Sequence, residues 1–504
     1  MASFKTIELP SGKTYEQPLG LFINNEYVDS SSSETLTAYN PATGEEICKI
    51  QQACPKKDVD IAVAAARKAF PIWHNIPAVE KRDLFFKLAD LVQENKQILA
   101  EIESLNSGKP IEQNAKYDID ELIGVLKYYG GWIDKLNGKS FIPSDKKICY
   151  TYHQPLGVVG CIIPFNYPLA MMSWKWTSIA CGNTAVFKSA DQTPLSTLYF
   201  AQLVKEAGFP PGVFNVVSGF GSTVGDALVK HLGVDKIAFT GSTVVGQMIQ
   251  RNAAVNLKPV TLECGGKSPI VIFDDCDFDQ AVKWTACGIF NNMGQICSGT
   301  SRCYVQDTIY EKFLVELAKH VKENYPIGDP NDANVVVGPQ ISLKQKERVG
   351  KYIKSAIDEG CRIILGGEGL PEEIVSSKKL SKGYYVKPTI IADITPETTV
   401  SKEEIFGPVI SVGKFSDYDQ CLELCNGLDY GLGSAIFTQD ITRAINFSKN
   451  VEAGMCWINS SNDVDFNVPF GGVKMSGHGR ELGEYGLSNF TNVKAVYINL
   501  GQKL

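Results

Sequence analysis

Two cysteines stand in FNNMGQICSGTSRC (290–303), Cys297 and Cys303. A thiolate is a soft nucleophile that forms thiohemiacetals and thioesters. No histidine flanks either residue, and the spacing matches no metal site. The stretch alone leaves a nucleophile and a pair of small buried hydrophobes both open. In TLECGGKSP (261–269), Glu263 ends an apolar run and is followed by Cys264, Gly265 and Gly266. A carboxyl at the end of a buried strand loses hydration of its charged form, so its pKa rises toward that of a general base. The paired glycines suit a close approach to the backbone; the plainer reading is a solvated strand-end carboxylate. In PFNYP (164–168), Asn166 lies between two prolines after the apolar run GVVGCII. An amide held there donates to a developing oxyanion, or merely caps its own turn.

Three further stretches suit a nucleotide. GFGSTVG (219–225) follows an apolar run and opens a helix, with Gly221 and Gly225 as candidate contacts. Its G-x-G-x-x-x-G spacing departs from the dinucleotide fingerprint, and a tight turn explains it equally well. In FTGSTVVG (239–246), Phe239, Gly241 and Ser242 lead into another helix. Backbone N–H groups and a hydroxyl at a helix N-terminus favour an anion; Ser242 as a simple helix cap is the alternative. FKSAD (187–191) ends a strand with Lys188 and Asp191. An acidic residue at such a position holds a ribose hydroxyl, and a cation accepts a phosphate.

These stretches need a frame. From residue 155 to 265, short apolar runs alternate with amphipathic segments, the pattern of a doubly wound parallel sheet. A second alternating block runs from SPIVIF to about residue 465. Residues 58–127 carry helical periodicity. KKICYTYHQ reads as a strand, with a partner in KAVYINL near the C-terminus, and such a two-stranded flap needs another subunit to cover it. The expected α/β organisation is a cofactor domain (1–132 and 155–265), a catalytic domain (266–465), and an oligomerisation flap with the C-terminal segment (133–154 and 466–504).

The chain has 504 residues, 14 cysteines and a net charge of −7. No basic run suits nucleic acid, and no apolar run is long enough to span a bilayer. The N-terminus lacks the apolar core of a secretory signal and has no arginine before Arg67, so a cytoplasmic location with free thiols is expected. Cys421 and Cys425 read as core residues, and no metal site is expected.

Together these stretches resemble the aldehyde dehydrogenase superfamily, most of all its fungal cytosolic members. TLECGGKSP is similar to the family's glutamate signature and FNNMGQICSGTSR to its cysteine signature. IIPFNYP, AFTGST, EEIFGPV, VPFGG and KMSGHGRELGEYGL extend the match along nearly the whole chain. The resemblance implies that Cys297 attacks an aldehyde, that Asn166 and the Cys297 N–H hold the oxyanion, and that Glu263 activates water to open the thioester. Cys303 is then structural. The resemblance further implies a site for NAD, with NADP still open, from Ile162, Ile163, Phe165, Lys188, Asp191, Gly221, Gly225, Phe239, Gly241, Ser242, Glu404 and Phe406. Lys175 and Glu481 would support a proton relay. Tyr167, Trp174, Asp463 and Asp465 would meet the substrate, an aliphatic or amino aldehyde, and a homodimer or homotetramer is implied. Phe165 stands where the family commonly has Trp, Ser189 and Asp191 where it has Pro and Glu, and Cys264 where it has Leu. Oxidation of Cys264, beside Glu263, is expected to block the site. A thiol hydrolase using Cys297 and Glu263 is the rival reading; the candidate nucleotide loops count against it.

Overall fold

Strands buried on both faces have no polar side to turn toward solvent, and the first alternating block behaves so. In the computed structural model, which describes residues 3–503, β1 (Val158–Ile162), β2 (Thr184–Lys188), β3 (Phe214–Val217), β4 (Lys236–Thr240) and β5 (Val260–Glu263) are buried at every position. They pair in parallel in the order β3-β2-β1-β4-β5. This is the doubly wound order, and the direction of winding reverses at β1. Ligands of such sheets sit in the crevice opened there, at the carboxyl ends of the strands. Antiparallel strands flank the sheet, Leu21–Ile23 beside β3 and Gly477–His478 beside β5. The second pairing brings part of the C-terminal segment onto this sheet, beyond the flap and tail expected of residues 466–504.

The helical stretch after residue 57 divides into four main helices, Lys57–Asn75, Ala78–Glu94, Lys96–Ser107 and α1 (Lys116–Gly130). The breaks fall at Pro77, Asn95 and the Gly108–Pro110 turn; a missing N–H ends the ladder at the prolines, a left-handed conformation at Gly108, and Asn95 leaves the helical region at φ −96°, ψ 10°. α2 (Pro168–Lys175) follows β1, and α3 (Thr243–Ala253) follows β4.

The second sheet contains β6 (Pro269–Ile272), β7 (Arg302–Gln306), β8 (Thr389–Ala392), β9 (Val409–Phe415) and β10 (Ala435–Phe437), parallel in the order β8-β9-β7-β6-β10. Arg362–Leu365 closes one edge antiparallel and Trp457–Ile458 the other in parallel. Cys303 is fully buried in β7, and Cys421 and Cys425 are buried in the core beside this sheet.

The flap forms with the anticipated partners: Lys147–Pro155 pairs antiparallel with Thr491–Asn499, Lys494 opposite Tyr152 and Val496 opposite Tyr150. It has three strands rather than two, because Ser140–Ser144 adds a further edge. Phe141, Ile142, Val493 and Tyr497 stand exposed on it, Ile142 by 76%. Among the described residues no helix is long and apolar enough to cross a membrane.

Candidate active site

β1, β2, β4 and β5 end at one cleft of about 310 Å³. Ile162 and Ile163 come from the end of β1, Lys188 from β2, Thr240 to Ser242 from β4 and Glu263 from β5. The loop before α2 adds Phe165 and Asn166, and the second sheet's loops add Cys297, Glu404 and Phe406. The three residues with candidate chemistry, Cys297, Asn166 and Glu263, therefore face the same cavity. They are far apart in sequence, and the crossing of two sheets is what unites them.

The turn before the nucleophile candidate is held in an uncommon shape. Asn292, Met293 and Gly294 have φ of 44°, 56° and 68°, a left-handed run that costs roughly 1–3 kcal/mol for each residue with a side chain. Packing supplies the compensation. Asn292 donates its amide to the carbonyls of Asn166 (3.1 Å) and Gln295 (3.2 Å), and Gln340 donates to the Met293 carbonyl (3.1 Å). A methyl at Gly294 would lie 1.9 Å from the carbonyl oxygen of Gly407, in the loop carrying Glu404 and Phe406. Gly294→Ala is expected to cost more than about 2 kcal/mol. Thermal melting and steady-state turnover should both fall; a variant matching wild type in both would show that the turn tolerates a side chain.

Asn166 is 5% exposed and donates one amide N–H to the Gln295 carbonyl at 2.9 Å. Its second N–H has no acceptor among the described residues and is free to meet an oxygen in the cleft. An oxyanion hole needs such a donor, fixed before charge develops. Asn166→Ala is expected to lower kcat by about 10²–10³-fold with little change in melting temperature. A loss under about fivefold in steady-state assays would rule out that role.

Glu263 is 3% exposed, and neither carboxylate oxygen has a hydrogen-bond partner among the described residues. The solvated strand-end alternative is thus set aside. Burial, then the negative charge of Glu481, holds its pKa well above the usual carboxylate range, while Lys175 and Arg480 pull it down. Lys175 is fully buried, donates to the Thr240 hydroxyl at 2.7 Å and pairs with Glu481. A buried line of titratable groups therefore extends from Glu263 toward the interior. The glycines after Glu263 allow two close approaches. A methyl at Gly265 would strike the Glu404 carboxylate at 2.3 Å, and one at Gly266 would lie 2.9 Å from the Cys297 carbonyl. The Cys264 side chain points instead at Gly246 of α3, and its thiol is pushed up to about 12 by burial, then by Glu263 and Glu404. It does not line the cleft, which removes the geometric basis for oxidative control there.

On the nucleotide side, Lys188 is 4% exposed, and burial lowers its pKa to about 8 against the opposing charge of Asp191. Gly221, Phe239, Gly241 and Ser242 also line the cleft. Ser242 occupies the N-cap of α3 without a side-chain cap bond, so the cap reading does not account for its hydroxyl. Phe165 and Phe406 meet edge to face at 5.7 Å. Gly225 is a correction to the sequence reading. It sits at the end of a wide helical turn, Gly221–Gly225, and does not line the cleft. Gln345 and Arg348 do line it, on helix α4 (Leu343–Asp358), and Arg348 donates to the Glu404 carbonyl at 2.8 Å. Sequence reasoning missed both, since a polar helix face looks like any solvated one.

The expected substrate residues divide. Tyr167 and Trp174 lie outside the nucleotide cleft and pack in the same apolar cluster as Cys297. Asp463 and Asp465 are exposed. Asp465 accepts from the Asn467 N–H at 2.9 Å, an ordinary self-capped turn. Their neighbours turn inward instead. Asn462 accepts from the Ser298 hydroxyl at 2.6 Å, and Ser461 meets Thr300 at 2.9 Å, which ties this loop to the nucleophile's loop.

A half-buried thiol, an oriented amide and a desolvated carboxyl meet at the switch point of a doubly wound sheet, a set suited to covalent chemistry on a carbonyl carbon. Comparisons with known proteins agree. Residues 27–496 match the model of the aldehyde dehydrogenase family. The chain is 46% identical to an aldehyde dehydrogenase of Aspergillus niger over 504 residues, covering 99% of each. It is 44% identical to human retinal dehydrogenase 2 over 508 residues, covering 100% of this chain and 96% of that protein. The NAD+ complex of an aldehyde dehydrogenase from Bacillus cereus superposes with a TM-score of 0.92 at 43% identity, covering 96% and 97% of the two chains. The chain belongs to the aldehyde dehydrogenase family. It is an enzyme that oxidises a small-molecule aldehyde.

Proposed function

We propose that this enzyme oxidises its aldehyde to the carboxylic acid through a covalent intermediate on Cys297, with NAD as cofactor. The convergence of Cys297, Asn166 and Glu263 on one cleft at the strand ends carries this reading. The cleft's residues suit a dinucleotide. Lys188 and Asp191 would hold the adenosine ribose, the Gly241 and Ser242 region at the start of α3 the pyrophosphate, and Glu404 with Phe406 the nicotinamide riboside. Asp191 would repel a 2′-phosphate, so NAD is favoured over NADP. When bound, NAD supplies the hydride acceptor.

The protein's own groups do the rest. The Cys297 thiol gives its proton to solvent in the cleft, its sulfur adds to the aldehyde carbon, and the Asn166 amide and the Cys297 N–H stabilise the oxygen that becomes negative. After oxidation the carbonyl carbon is held on sulfur as a thioester. Glu263 takes a proton from water, the hydroxide displaces the thiolate, and the acid leaves. Lys175 and Glu481 carry that proton onward. Residues 1–132 and 155–265 serve the cofactor and 266–465 the thiol chemistry. The exposed apolar side chains of the flap would be covered by another copy, in a homodimer or homotetramer, and the enzyme would act in the cytoplasm.

Mixing enzyme with propanal and NAD or NADP, and following nicotinamide absorbance, tests this. Faster reduction of NAD than NADP is expected. Ester or amide hydrolysis with no cofactor reduction would favour a thiol hydrolase.

A further inference from the structure

We infer that Asn462 is a positioning residue for the nucleophile: by holding the Ser298 hydroxyl, it fixes the turn that presents Cys297 to the cleft. This rests on the proposed role of Cys297 and adds a residue that serves the same step.

Cys297 and Ser298 are the two middle residues of a tight turn, closed by the Gly299 N–H, which donates to the Ile296 carbonyl at 3.1 Å. The chain before the turn is held from the nucleotide side. There the Gln295 carbonyl accepts from the Asn166 and Asn292 amides, and the Gln295 side chain accepts from the Ile341 N–H at 3.1 Å. The chain after the turn is held as well: the Thr300 N–H donates to the Gly288 carbonyl at 3.0 Å, and the Thr300 hydroxyl meets Ser461 at 2.9 Å. Between these fixed ends the turn makes one side-chain hydrogen bond to another segment among the described residues, from Ser298 to the Asn462 amide oxygen at 2.6 Å. A turn tip keeps more freedom than the elements it joins, and Ser298 is where this tip is tied down.

Asn462 has one atom to offer Ser298. Its amide nitrogen donates to the Gly288 carbonyl at 2.9 Å. A carbonyl only accepts, so the amide oxygen is left to face the Ser298 hydroxyl. The loop that carries Asn462 is itself over-determined. Asn462 and Asn459 sit at φ 54° and 59°, left-handed positions that persist where the surroundings enforce them. Asn459 donates to the Thr438 carbonyl at 3.1 Å and accepts from the Thr438 N–H at 3.0 Å, which seats the loop just after β10. The Trp457 indole N–H donates to the Asp463 carbonyl at 3.0 Å and braces the loop from its other side. Ser298 is buried, and Thr300 and Ser461 are sealed from water, so solvent does not compete for these bonds. Ser298 also acts on the sulfur. Burial, then Glu404 and Glu263, push the Cys297 thiol up, and the N–H groups of Ser298 and Cys297 pull it back. The residue whose N–H serves the sulfur is thus the one whose hydroxyl Asn462 holds. A purely structural role, packing one loop on the other, needs only the Thr300–Ser461 and Asn462–Gly288 bonds.

Single turnovers separate the two roles. With enzyme in excess over NAD and propanal saturating, the rate of nicotinamide reduction reports attack and hydride transfer, not thioester opening. Ser298→Ala and Asn462→Ala are each expected to slow this rate about tenfold, the effect of a misplaced reacting atom, with the affinity for NAD within about twofold of wild type. Because both substitutions remove the same bond, the double variant is expected to match Asn462→Ala rather than fall a further tenfold or so. Ser298→Ala leaves the Thr300–Ser461 and Asn462–Gly288 bonds in place, so it carries the test even where Asn462→Ala unfolds. A Ser298→Ala rate within about twofold of wild type would overturn the inference and leave the Cys297 chemistry standing. Slowing that multiplies in the double variant, or NAD affinity that falls in step with the rate, would overturn it too. A wild type that reduces no NAD in a single turnover would overturn both readings.

Discussion

Cys297→Ala is expected to lose aldehyde oxidation by at least about 10⁴-fold while retaining its fold and its affinity for NAD. The reason is specific to this site. Glu263, Asn166 and the nucleotide residues all remain, but no other thiol shares the cleft with them. Cys264 faces α3 and Cys303 is sealed in β7. The Cys297 thiol is itself pushed up to about 12 by burial, then by the carboxylates of Glu404 and Glu263. In the cofactor-free enzyme it is therefore protonated near neutral pH. Its alkylation by iodoacetamide should be slow there and should climb about tenfold per pH unit up to the raised pKa. Fast, pH-independent labelling of Cys297 would mean that the thiolate is already formed at rest.

Glu263→Gln should instead permit the first half of the reaction and stall the second. A rapid burst of NAD reduction, about one equivalent per site, is expected, followed by turnover about 10²–10³-fold below wild type. The amide keeps the volume of the carboxyl, which is packed closely against Gly471, so the cleft keeps its shape. The pH dependence follows from the direction of the shift. A carboxyl raised well above its ordinary range is largely neutral at low pH and becomes a base as pH rises through its shifted pKa. The wild-type rate of thioester opening should thus increase with pH across neutrality, and the Gln variant should lose that increase. Pre-steady-state absorbance distinguishes the cases; a variant with neither burst nor a slow phase would place Glu263 elsewhere in the mechanism.

The parallel strands around the site were legible because their apolar runs leave no alternative to burial on both faces, and the burial of Glu263 followed from its place at the end of one. The flap's pairing was legible as well. Its third strand was not, since Ser140–Ser144 is exposed along its length and lacks apolar patterning. The choice between Cys297 and Cys303 was not contained in local spacing and came from the family motif. Gly225 was misjudged because its motif is a glycine spacing, whereas the chain makes a wide helical turn there. Asp463 and Asp465 were expected to face the substrate, but Asn462 at φ 54° turns the loop so that Ser461 and Asn462 point inward. Arg348 went unnoticed for a physical reason. A charged residue on an amphipathic helix looks solvated until another element packs over it.

Covalent capture tests the central claim most directly. The Glu263→Gln enzyme is mixed with propanal and NAD, quenched in acid, and examined by intact-protein and peptide mass spectrometry. One propionyl group per chain on the peptide carrying Cys297, absent from the Cys297→Ala, Glu263→Gln double variant, is the predicted result. Acylation of a different cysteine, or reduced NAD with no acylated protein at any time, would contradict Cys297 as the nucleophile.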